Sequence, residues 1–135
     1  MSARLEGKTA FVSGASQGIG LACARALAQD GAVVLIMIRR QQAIDAARER
    51  LLAEMPGATI AALAGDATSE AAMISALAAA HDLSGRLDIV VSVVGEPVFK
   101  PLLMRNLDDV RQEFDVNFGS AFLAVRHAVP LMRPG

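Results

Sequence analysis

Three glycines stand close together near the start of the chain, in the loop Ser13-Gly14-Ala15-Ser16-Gln17-Gly18-Ile19-Gly20. An apolar run precedes this glycine loop, and a stretch rich in Ala and Leu follows it. Gly14 can adopt backbone angles closed to other residues, Gly18 allows a phosphate to approach the chain, and Gly20 allows a helix to pack closely. Anions bind where a strand ends and a helix begins, because free amides and the helix dipole converge there. The loop therefore predicts a nucleotide site, with a tight structural turn as the alternative.

The glycines have the spacing G-x-x-x-G-x-G, whereas the common dinucleotide motif is G-x-G-x-x-G. Such a motif is weak evidence alone, and its position between a strand and a helix gives it weight. The loop residues predicted to contact a dinucleotide are Gly14, Ser16, Gln17, Gly18, Ile19 and Gly20.

Two arginines follow the second apolar run, which ends Ile36-Met37-Ile38-Arg39-Arg40. An NAD site usually has an acidic residue here for the ribose hydroxyls, and that carboxylate would repel a phosphate. Ile38 occupies the position instead, and a guanidinium can form charged hydrogen bonds of roughly 1.5–3 kcal/mol with a phosphate. The pattern favours NADP over NAD, with Arg39 as the main phosphate ligand and Arg40 as its support. Two solvated arginines at a helix start are the alternative.

Asp66 follows the third apolar run, in the segment Gly65-Asp66-Ala67-Thr68. Its carboxylate could cap the following helix, or it could accept a hydrogen bond from the amino group of an adenine. The spacing favours neither role, so Asp66, with its neighbour Ala67, is a candidate cofactor contact on equal terms with a helix cap.

Short β-branched runs alternate with helical stretches, and these elements must position the candidate residues. The predicted strands cover residues 9–13, 33–38, 59–63 and 87–94. The predicted helices cover residues 17–29, 41–55, 69–81 and 107–132, with helix caps at Thr68 and Asn106. Helices of this length between strands specify parallel pairing through right-handed crossovers. We therefore predict a single α/β domain over residues 1–135, a doubly wound parallel sheet of the Rossmann type with strand order 3-2-1-4.

The composition argues against several classes of partner. The chain has 135 residues, of which 53% are hydrophobic and 20% charged, and its formal net charge is -1. This balance gives no footprint for nucleic acid or an anionic membrane, and no apolar run approaches membrane-spanning length. The single cysteine, Cys23, predicts a buried inert thiol. We expect a cytoplasmic globular protein without a metal site.

Taken in order, these motifs resemble those of the short-chain dehydrogenase/reductase family. The segment TAFVSGASQGIG is similar to its glycine-rich cofactor motif, with Ser13 in place of the usual Thr, and GDAT is similar to its adenine motif. The segment FDVNFGSAFL resembles the one with the family's catalytic Asn, which implies that role for Asn117. The resemblance covers the whole chain. It implies hydride transfer between a nicotinamide dinucleotide and a small carbonyl or alcohol substrate.

The chain departs from the family pattern at two cofactor positions. After the fourth strand the family usually has Asn-Asn-Ala-Gly, and this chain has Ser92-Val93-Val94-Gly95. The resemblance implies cofactor contacts for Ser92 and Gly95, with an apolar group in place of the second amide. Many NADP-preferring members have a basic residue just before the second glycine, where this chain has Gln17. The phosphate contacts would then fall to the two arginines after the second strand.

The family's chemistry depends on a Tyr as general acid/base, a Lys that lowers the pKa of that Tyr, and a Ser that orients the substrate carbonyl. This chain has no Tyr and ends at Pro134-Gly135, where the resemblance implies a fifth strand next. We expect the cofactor-binding half of a reductase, truncated before strand five. A non-catalytic dinucleotide-binding module is the alternative. A methyl-transferring domain is disfavoured, because its site generally needs an acid after the second strand.

Other polar residues have simpler interpretations. Asn117 falls among apolar helical positions, so it has a second interpretation as a buried residue bonded to backbone. His81 and His127 are interpreted as structural, and Lys100 as a solvated loop residue.

Apolar groups of the last predicted helix and of the fourth strand are expected to stay uncovered. Phe114, Phe118, Phe122 and Val125 repeat at helical spacing, and strand four would have an open outer edge. We expect a homo-oligomer, a pairing with a separately encoded second half, or a poorly soluble chain.

Overall fold

The computed structural model describes residues 3–97 and 99–132. Within those residues one sheet is formed by β1 (Thr9–Ser13), β2 (Val33–Ile38), β3 (Ile60–Ala64) and β4 (Ile89–Ser92). The pairs are parallel and the order is β3-β2-β1-β4, which confirms the predicted doubly wound sheet. Parallel strands bring their carboxyl ends to one edge, so the residues that follow β1, β2, β3 and β4 lie near one another.

Helices connect the strands and cover the sheet. They are α1 (Gly18–Gln29), α2 (Gln41–Glu54), α3 (Glu70–Asp82), α4 (Leu107–Phe114) and α5 (Ser120–Ala128). A π-helical segment, Asp115–Gly119, joins α4 to α5 without a break in the helical path. Single 3-10 turns lie at Leu102–Met104 and Val129–Leu131. The predicted last helix is therefore present, with a change of helical type in its middle.

Alternate residues of the central strands pack on opposite faces of the sheet. Val12 and Ile36 belong to a buried cluster with residues of α1 and α2. Phe11 and Leu35 belong to a second cluster, with residues of α3 and α5. Because both faces are covered, the central strands are apolar at nearly every position, as the run VVLIMI shows.

β4 is shorter than the predicted strand over 87–94. It pairs with β1 from Ala10 to Ser13, and β1 ends at Ser13, so the ladder ends at Ser92. On the outer side of β4, the described residues contribute one isolated parallel bridge between Leu87 and Met132. Pro134 and Gly135, after which the family resemblance implies a fifth strand, lie outside the described residues.

The two predicted helix caps have different outcomes. α3 begins at Glu70 and its N-cap is Ser69, so the cap predicted at Thr68 is wrong by one residue. The cap at Asn106 is confirmed, because its side chain accepts a 2.9 Å hydrogen bond from the backbone amide of Asp109. The Asp109 carboxylate bonds back to the Asn106 amide at 3.0 Å, which completes a capping box at the start of α4.

Cys23 is partly exposed on α1, so the prediction of a buried thiol is wrong. The buried face of α1 follows Gly20, Leu21, Ala24 and Ala28, and Cys23 lies beside that face.

Candidate functional site

The glycine loop turns between β1 and α1, and both Gly14 and Gly18 have positive φ, at +80° and +58°. A Cβ on Gly14 would lie 2.8 Å from the carbonyl oxygen of Val93. A Cβ on Gly20 would lie 2.0 Å from the carbonyl oxygen of Gly14. Gly14 therefore excludes a side chain because the loop lies directly against the segment after β4. Gly20 excludes one because the start of α1 lies against the loop's own Gly14 carbonyl.

Gly18 has a different environment, since no atom lies within 4 Å of its Cβ position. The N-cap residue of α1 is Gln17, whose side chain makes no capping hydrogen bond, and the first turn contains no acidic residue. Ile19, the next residue, is 75% exposed. The first amides of α1 and its dipole thus have an open approach, which suits an anion such as a pyrophosphate.

A cleft with two lobes opens at the carboxyl ends of the strands. The inner lobe has a volume of about 480 Å³ and the outer lobe about 580 Å³. Both lobes are lined by Ser16, Gln17, Ile38, Arg39 and Glu96. The predicted contacts that line the inner lobe alone are Gly14, Asp66, Ala67 and Gly95. The predicted contacts outside the walls of both lobes are Gly18, Ile19, Gly20 and Ser92.

Arg39 and Arg40 lie at the turn between β2 and α2. Arg39 lines both lobes and Arg40 lines the outer one, and both residues are exposed. Arg40 is also the N-cap of α2, where its side chain makes no capping bond and the first turn contains no acidic residue. The positive end of α2 and two arginine residues therefore lie together at the outer lobe.

Asp66 forms a turn at the start of the α3 segment. Its Oδ1 accepts hydrogen bonds from the backbone amide of Thr68 at 2.9 Å and from the Thr68 hydroxyl at 2.7 Å. These two bonds, together with the positive charge of Arg39, hold the pKa of Asp66 below its usual value. The Asp66 carboxylate is thus ionised at neutral pH. One of its oxygens bonds to Thr68, and Asp66 lines the inner lobe.

Asn117 lies in the π-helical segment and connects it to the chain after β4. Its Oδ1 accepts a hydrogen bond from the backbone amide of Glu96, and its Nδ2 donates to the Glu96 carbonyl oxygen, both at 3.3 Å. Nδ2 also donates to the Glu113 carbonyl oxygen at 2.9 Å. Asn117 is exposed, so the interpretation as a buried residue is wrong, although its partners are backbone groups as that interpretation required.

Gly95 lies at the same contact, since a Cβ there would be 3.0 Å from Asn117 Oδ1. The long helix and the segment after β4 therefore meet at Gly95, Glu96 and Asn117, and this contact fixes one wall of the cleft.

Comparison with known proteins identifies the family of this chain. A family profile described as short chain dehydrogenase matches residues 8–135. The chain belongs to the short-chain dehydrogenase/reductase family. An uncharacterised oxidoreductase of Mycobacterium tuberculosis is 36% identical over 129 residues, which cover 96% of this chain and 48% of that protein. A 3-dehydrosphinganine reductase of Arabidopsis thaliana is 30% identical over 129 residues, covering 96% of this chain and 38% of that protein.

Solved structures of the family superpose closely on this chain. A dehydrogenase/reductase from Sinorhizobium meliloti matches with a TM-score of 0.89 and 32% identity, over 97% of this chain and 52% of that one. The chain thus spans about half the length of several relatives that it matches.

Membership of the short-chain dehydrogenase/reductase family implies a nicotinamide dinucleotide cofactor, and the cleft fits one. The open approach at Gly18 and the uncapped start of α1 suit the pyrophosphate. The inner lobe next to Asp66 has room for an aromatic base. The side chains that line the two lobes are therefore compatible with the group that the family implies.

Three further polar residues noted in the sequence have partners away from the glycine loop. Lys100 Nζ lies 2.9 Å from Asp109 Oδ2 and its side chain is 35% exposed, so this loop lysine is partly solvated and also ion-paired. His127 Nε2 lies 2.7 Å from an oxygen of Glu70, which links α5 to α3, and His81 lies 3.6 Å from Asp82. No group of three or more His, Cys, Asp or Glu side chains within residues 3–97 and 99–132 is arranged to hold a metal ion.

Within residues 3–97 and 99–132, no helix is both long and apolar enough to cross a bilayer.

Sequence reasoning missed two charged residues of the cleft, Glu96 and Arg50. Glu96 lines both lobes and Arg50 lines the outer lobe. Glu96 directly follows the predicted contact Gly95, so its neighbour was a usable signal. Arg50 shares a helix face with Ala43 and Ala47. The sequence alone does not indicate that this face borders the cleft, so it could not identify Arg50 as a cleft residue.

Proposed function

We propose that this chain binds NADP(H) as the cofactor-binding part of a short-chain reductase that passes a hydride to a small ketone or aldehyde. One observation carries the preference for NADP: Arg39 and Arg40 line the outer lobe, and Ile38 stands where an NAD site usually has a carboxylate. A guanidinium binds a phosphate with two parallel hydrogen bonds, which suits the 2′-phosphate of NADP.

Glu96 places one carboxylate in the same cleft. A carboxylate repels a phosphate, so Glu96 opposes the proposed preference. Arg39 and Arg40 outnumber it at the outer lobe, and the N-terminal end of α2 adds a further partial positive charge. The local charge balance therefore still favours a phosphate.

In the proposed complex the glycine loop binds the pyrophosphate through backbone amides at the start of α1. Asp66 accepts a hydrogen bond from the adenine amino group, using the oxygen that does not bond to Thr68. Ala67 lies beside it, while Ser92 and Gly95 contact a ribose and Ile19 adds an apolar contact at the start of α1. Each of these roles is part of the proposal.

When bound, the nicotinamide supplies the hydride that adds to the carbonyl carbon of the substrate. Asn117 acts on this site through Glu96, whose backbone it holds with two hydrogen bonds, so we assign it a positioning role. A reductase also needs a proton donor near the carbonyl oxygen, and the 135 residues contain no Tyr. The proposal assigns cofactor binding to this chain and proton transfer to the remainder of a longer protein.

The test is a titration of NADP and NAD at fixed salt, for the wild-type chain and for Arg39→Asp. We expect the wild type to bind NADP more tightly. Arg39→Asp removes one charged contact and adds a carboxylate that repels the phosphate. NADP binding should therefore weaken by at least about 2 kcal/mol, and NAD binding should change much less. Equal affinities in the wild type, or an unchanged NADP affinity in the variant, would contradict the proposal.

A second candidate function is a dinucleotide-binding module without chemistry of its own, because the uncapped start of α1 and the cleft suit a dinucleotide whether or not a catalytic half is joined to them. Both candidates predict that this polypeptide alone shows no carbonyl reduction above background with NADPH, because positioned proton transfer contributes roughly 100- to 10,000-fold. They differ for a polypeptide that includes the second half found in relatives. Turnover by that longer chain supports the reductase, and binding without turnover supports the module.

A further inference from the structure

The outer lobe contains a third arginine on α2, in addition to the two at the start of that helix. The residues of α2 that line this lobe are Ala43, Ala46, Ala47 and Arg50. Residues three, four and seven positions apart lie on one face of a helix, so this face borders the lobe over two turns. The alanine side chains are short, and Arg50 is therefore the long charged side chain on this face.

Arg50 is weakly held by its neighbours. Its Nε lies 3.8 Å from an oxygen of Glu54, one turn later on α2, which is beyond hydrogen-bond distance. Glu54 bonds instead to Arg25 of α1, with Nε–O and Nη2–O distances of 2.5 and 3.1 Å. These bonds from Arg25 are the main cause of the lowered pKa of Glu54. Glu54 is thus already paired, and the Arg50 side chain is 67% exposed.

Arg50 and Arg40 line the same lobe from different turns of α2. Ten residues separate Arg50 from Arg40, which corresponds to about 15 Å along the helix axis. The contact of Arg50 with Glu54 lies one turn further from Arg40. Three arginines and one glutamate, Glu96, thus line the outer lobe.

We propose that Arg50 is a specificity-determining residue that attracts the 2′-phosphate of NADP into the outer lobe, together with Arg39 and Arg40. This inference rests on the proposed function. Arg50 acts across solvent and not as a direct ligand, because its turn lies well beyond that of Arg40. Its effect is therefore smaller than that of Arg39 and more sensitive to salt.

The experiment measures binding of two probes, 2′,5′-ADP and 5′-ADP, by isothermal titration calorimetry at about 0.01 M and about 1 M salt. We expect Arg50→Gln to bind 2′,5′-ADP about twofold more weakly at the lower salt, with a smaller change for 5′-ADP. At the higher salt the difference should disappear, since the screening length falls from about 30 Å to about 3 Å. Arg50→Lys keeps the charge and should restore most of the affinity.

Arg48→Gln is the matched control, because Arg48 lies on the same helix, bonds to the Ile60 carbonyl oxygen and does not line the outer lobe. It should bind both probes as the wild type does. If Arg48→Gln weakens 2′,5′-ADP as much as Arg50→Gln, the effect follows the total charge of the helix and the role of Arg50 is overturned.

Two further outcomes separate this inference from the proposed function. If Arg39→Gln weakens 2′,5′-ADP and Arg50→Gln does not, Arg50 has no such role and the NADP proposal stands. If the wild type binds the two probes equally, the preference for NADP fails and the role of Arg50 fails with it.

Discussion

Ser13 places a buried polar group at the end of β1, directly before the glycine loop. It is fully buried at the end of β1, and its hydroxyl has no hydrogen-bond partner among the described residues. Its register partner across the sheet is Ser92, followed by Val93 where the family usually has a second Asn. An apolar Val93 side chain offers no polar atom. A buried hydroxyl without a partner costs about 1–3 kcal/mol, and this cost falls directly below the glycine loop.

Replacing Ser13 by Ala should therefore stabilise the chain. We expect the free energy of unfolding of Ser13→Ala to rise by about 1 kcal/mol, because the variant removes an unsatisfied polar group. Urea denaturation followed by circular dichroism measures this change.

Ser120→Ala is the control for a buried serine with a partner, since its hydroxyl donates to the Val116 carbonyl oxygen at 2.6 Å. That variant should not gain stability, because the lost hydrogen bond offsets the higher helix propensity of Ala. A clear loss of stability in Ser13→Ala would show that the Ser13 hydroxyl has a partner after all.

At the scale of elements, the π-helical segment joins the long helix to the cleft. Asp115–Gly119 contains Asn117, and the Asn117 amide reaches across 21 residues of sequence to the backbone of Glu96. Glu96 lines both lobes, so the position of the helix determines the position of this wall.

Asn117→Ala should loosen that wall without unfolding the helix. The Glu96 amide loses its acceptor, so we expect faster hydrogen exchange at Glu96 and a weaker affinity for the dinucleotide. Mass-spectrometric hydrogen exchange of the peptide that contains residues 95–97 measures the first effect. Asn106→Ala serves as the control, since it removes the cap of α4 and should accelerate exchange in α4 instead. Unchanged exchange at Glu96 in Asn117→Ala would rule out the positioning role.

A second element contact lies at the opposite end of the sheet, where Asp88 precedes β4. The Asp88 carboxylate accepts a hydrogen bond from Arg86 Nε at 2.8 Å and another from the backbone amide of Thr9, also at 2.8 Å. The Arg86 bonds chiefly, and then the Thr9 amide and the charges of Arg86 and Lys8, lower the pKa of Asp88. The Asp88 side chain is only 12% exposed, so this contact between the starts of β1 and β4 is largely shielded from water.

This lowered pKa gives a pH-dependent contribution to stability. Ionised Asp88 stabilises the fold above its unfolded pKa of about 3.9, and the contribution is lost as the pH falls through the lower folded pKa. Asp88→Asn should reduce the free energy of unfolding by about 1–2 kcal/mol at pH 7. Wild type and variant should converge below about pH 4.

Denaturant titrations from acid to neutral pH measure this difference. Asp82→Asn is the control, because Asp82 is 81% exposed and its variant should follow the wild type at every pH. A constant gap between wild type and Asp88→Asn down to the acid limit would contradict the assignment.

For the whole molecule, the main feature is an apolar stripe along the long helix. The stripe consists of residues that are at least half exposed and follow helical spacing: Leu107, Val110, Phe114, Phe118, Phe122, Val125 and Val129. The rings of Phe114 and Phe118 lie 5.0 Å apart. The outer side of β4, within residues 3–97 and 99–132, has only the single bridge from Leu87 to Met132. Exposed apolar surface and an open strand edge both favour association.

We therefore expect the 135-residue polypeptide to associate with itself. Light scattering over a concentration series should show an apparent mass that rises with concentration for the wild type and less for the double variant Phe118→Glu with Phe122→Glu. Leu103→Glu is the control, since Leu103 is exposed but lies outside the stripe. A wild-type chain that remains a monodisperse monomer at high concentration would contradict this expectation.

The sequence by itself determined the sheet and its order. Apolar strands of the right length alternate with helices, and crossover geometry then leaves little freedom in topology. The glycine loop was identifiable for a related reason, because a position between a strand and a helix places backbone amides where anions bind. The sequence did not determine the strand boundaries. β4 is shorter than predicted because β1 ends at Ser13, so no residue of β1 pairs with the chain beyond Ser92.

Only the tertiary structure decided which residues contact each other. Asn117 and Glu96, or Lys100 and Asp109, are separated by loops and turns whose path no local pattern encodes. Arg50 is a surface residue by sequence, and it becomes part of the cleft because α2 packs with that face beside the end of β2. Periodicity specifies which residues share a face of one element. The contacts between faces depend on how the elements pack, and packing joins residues far apart in the chain.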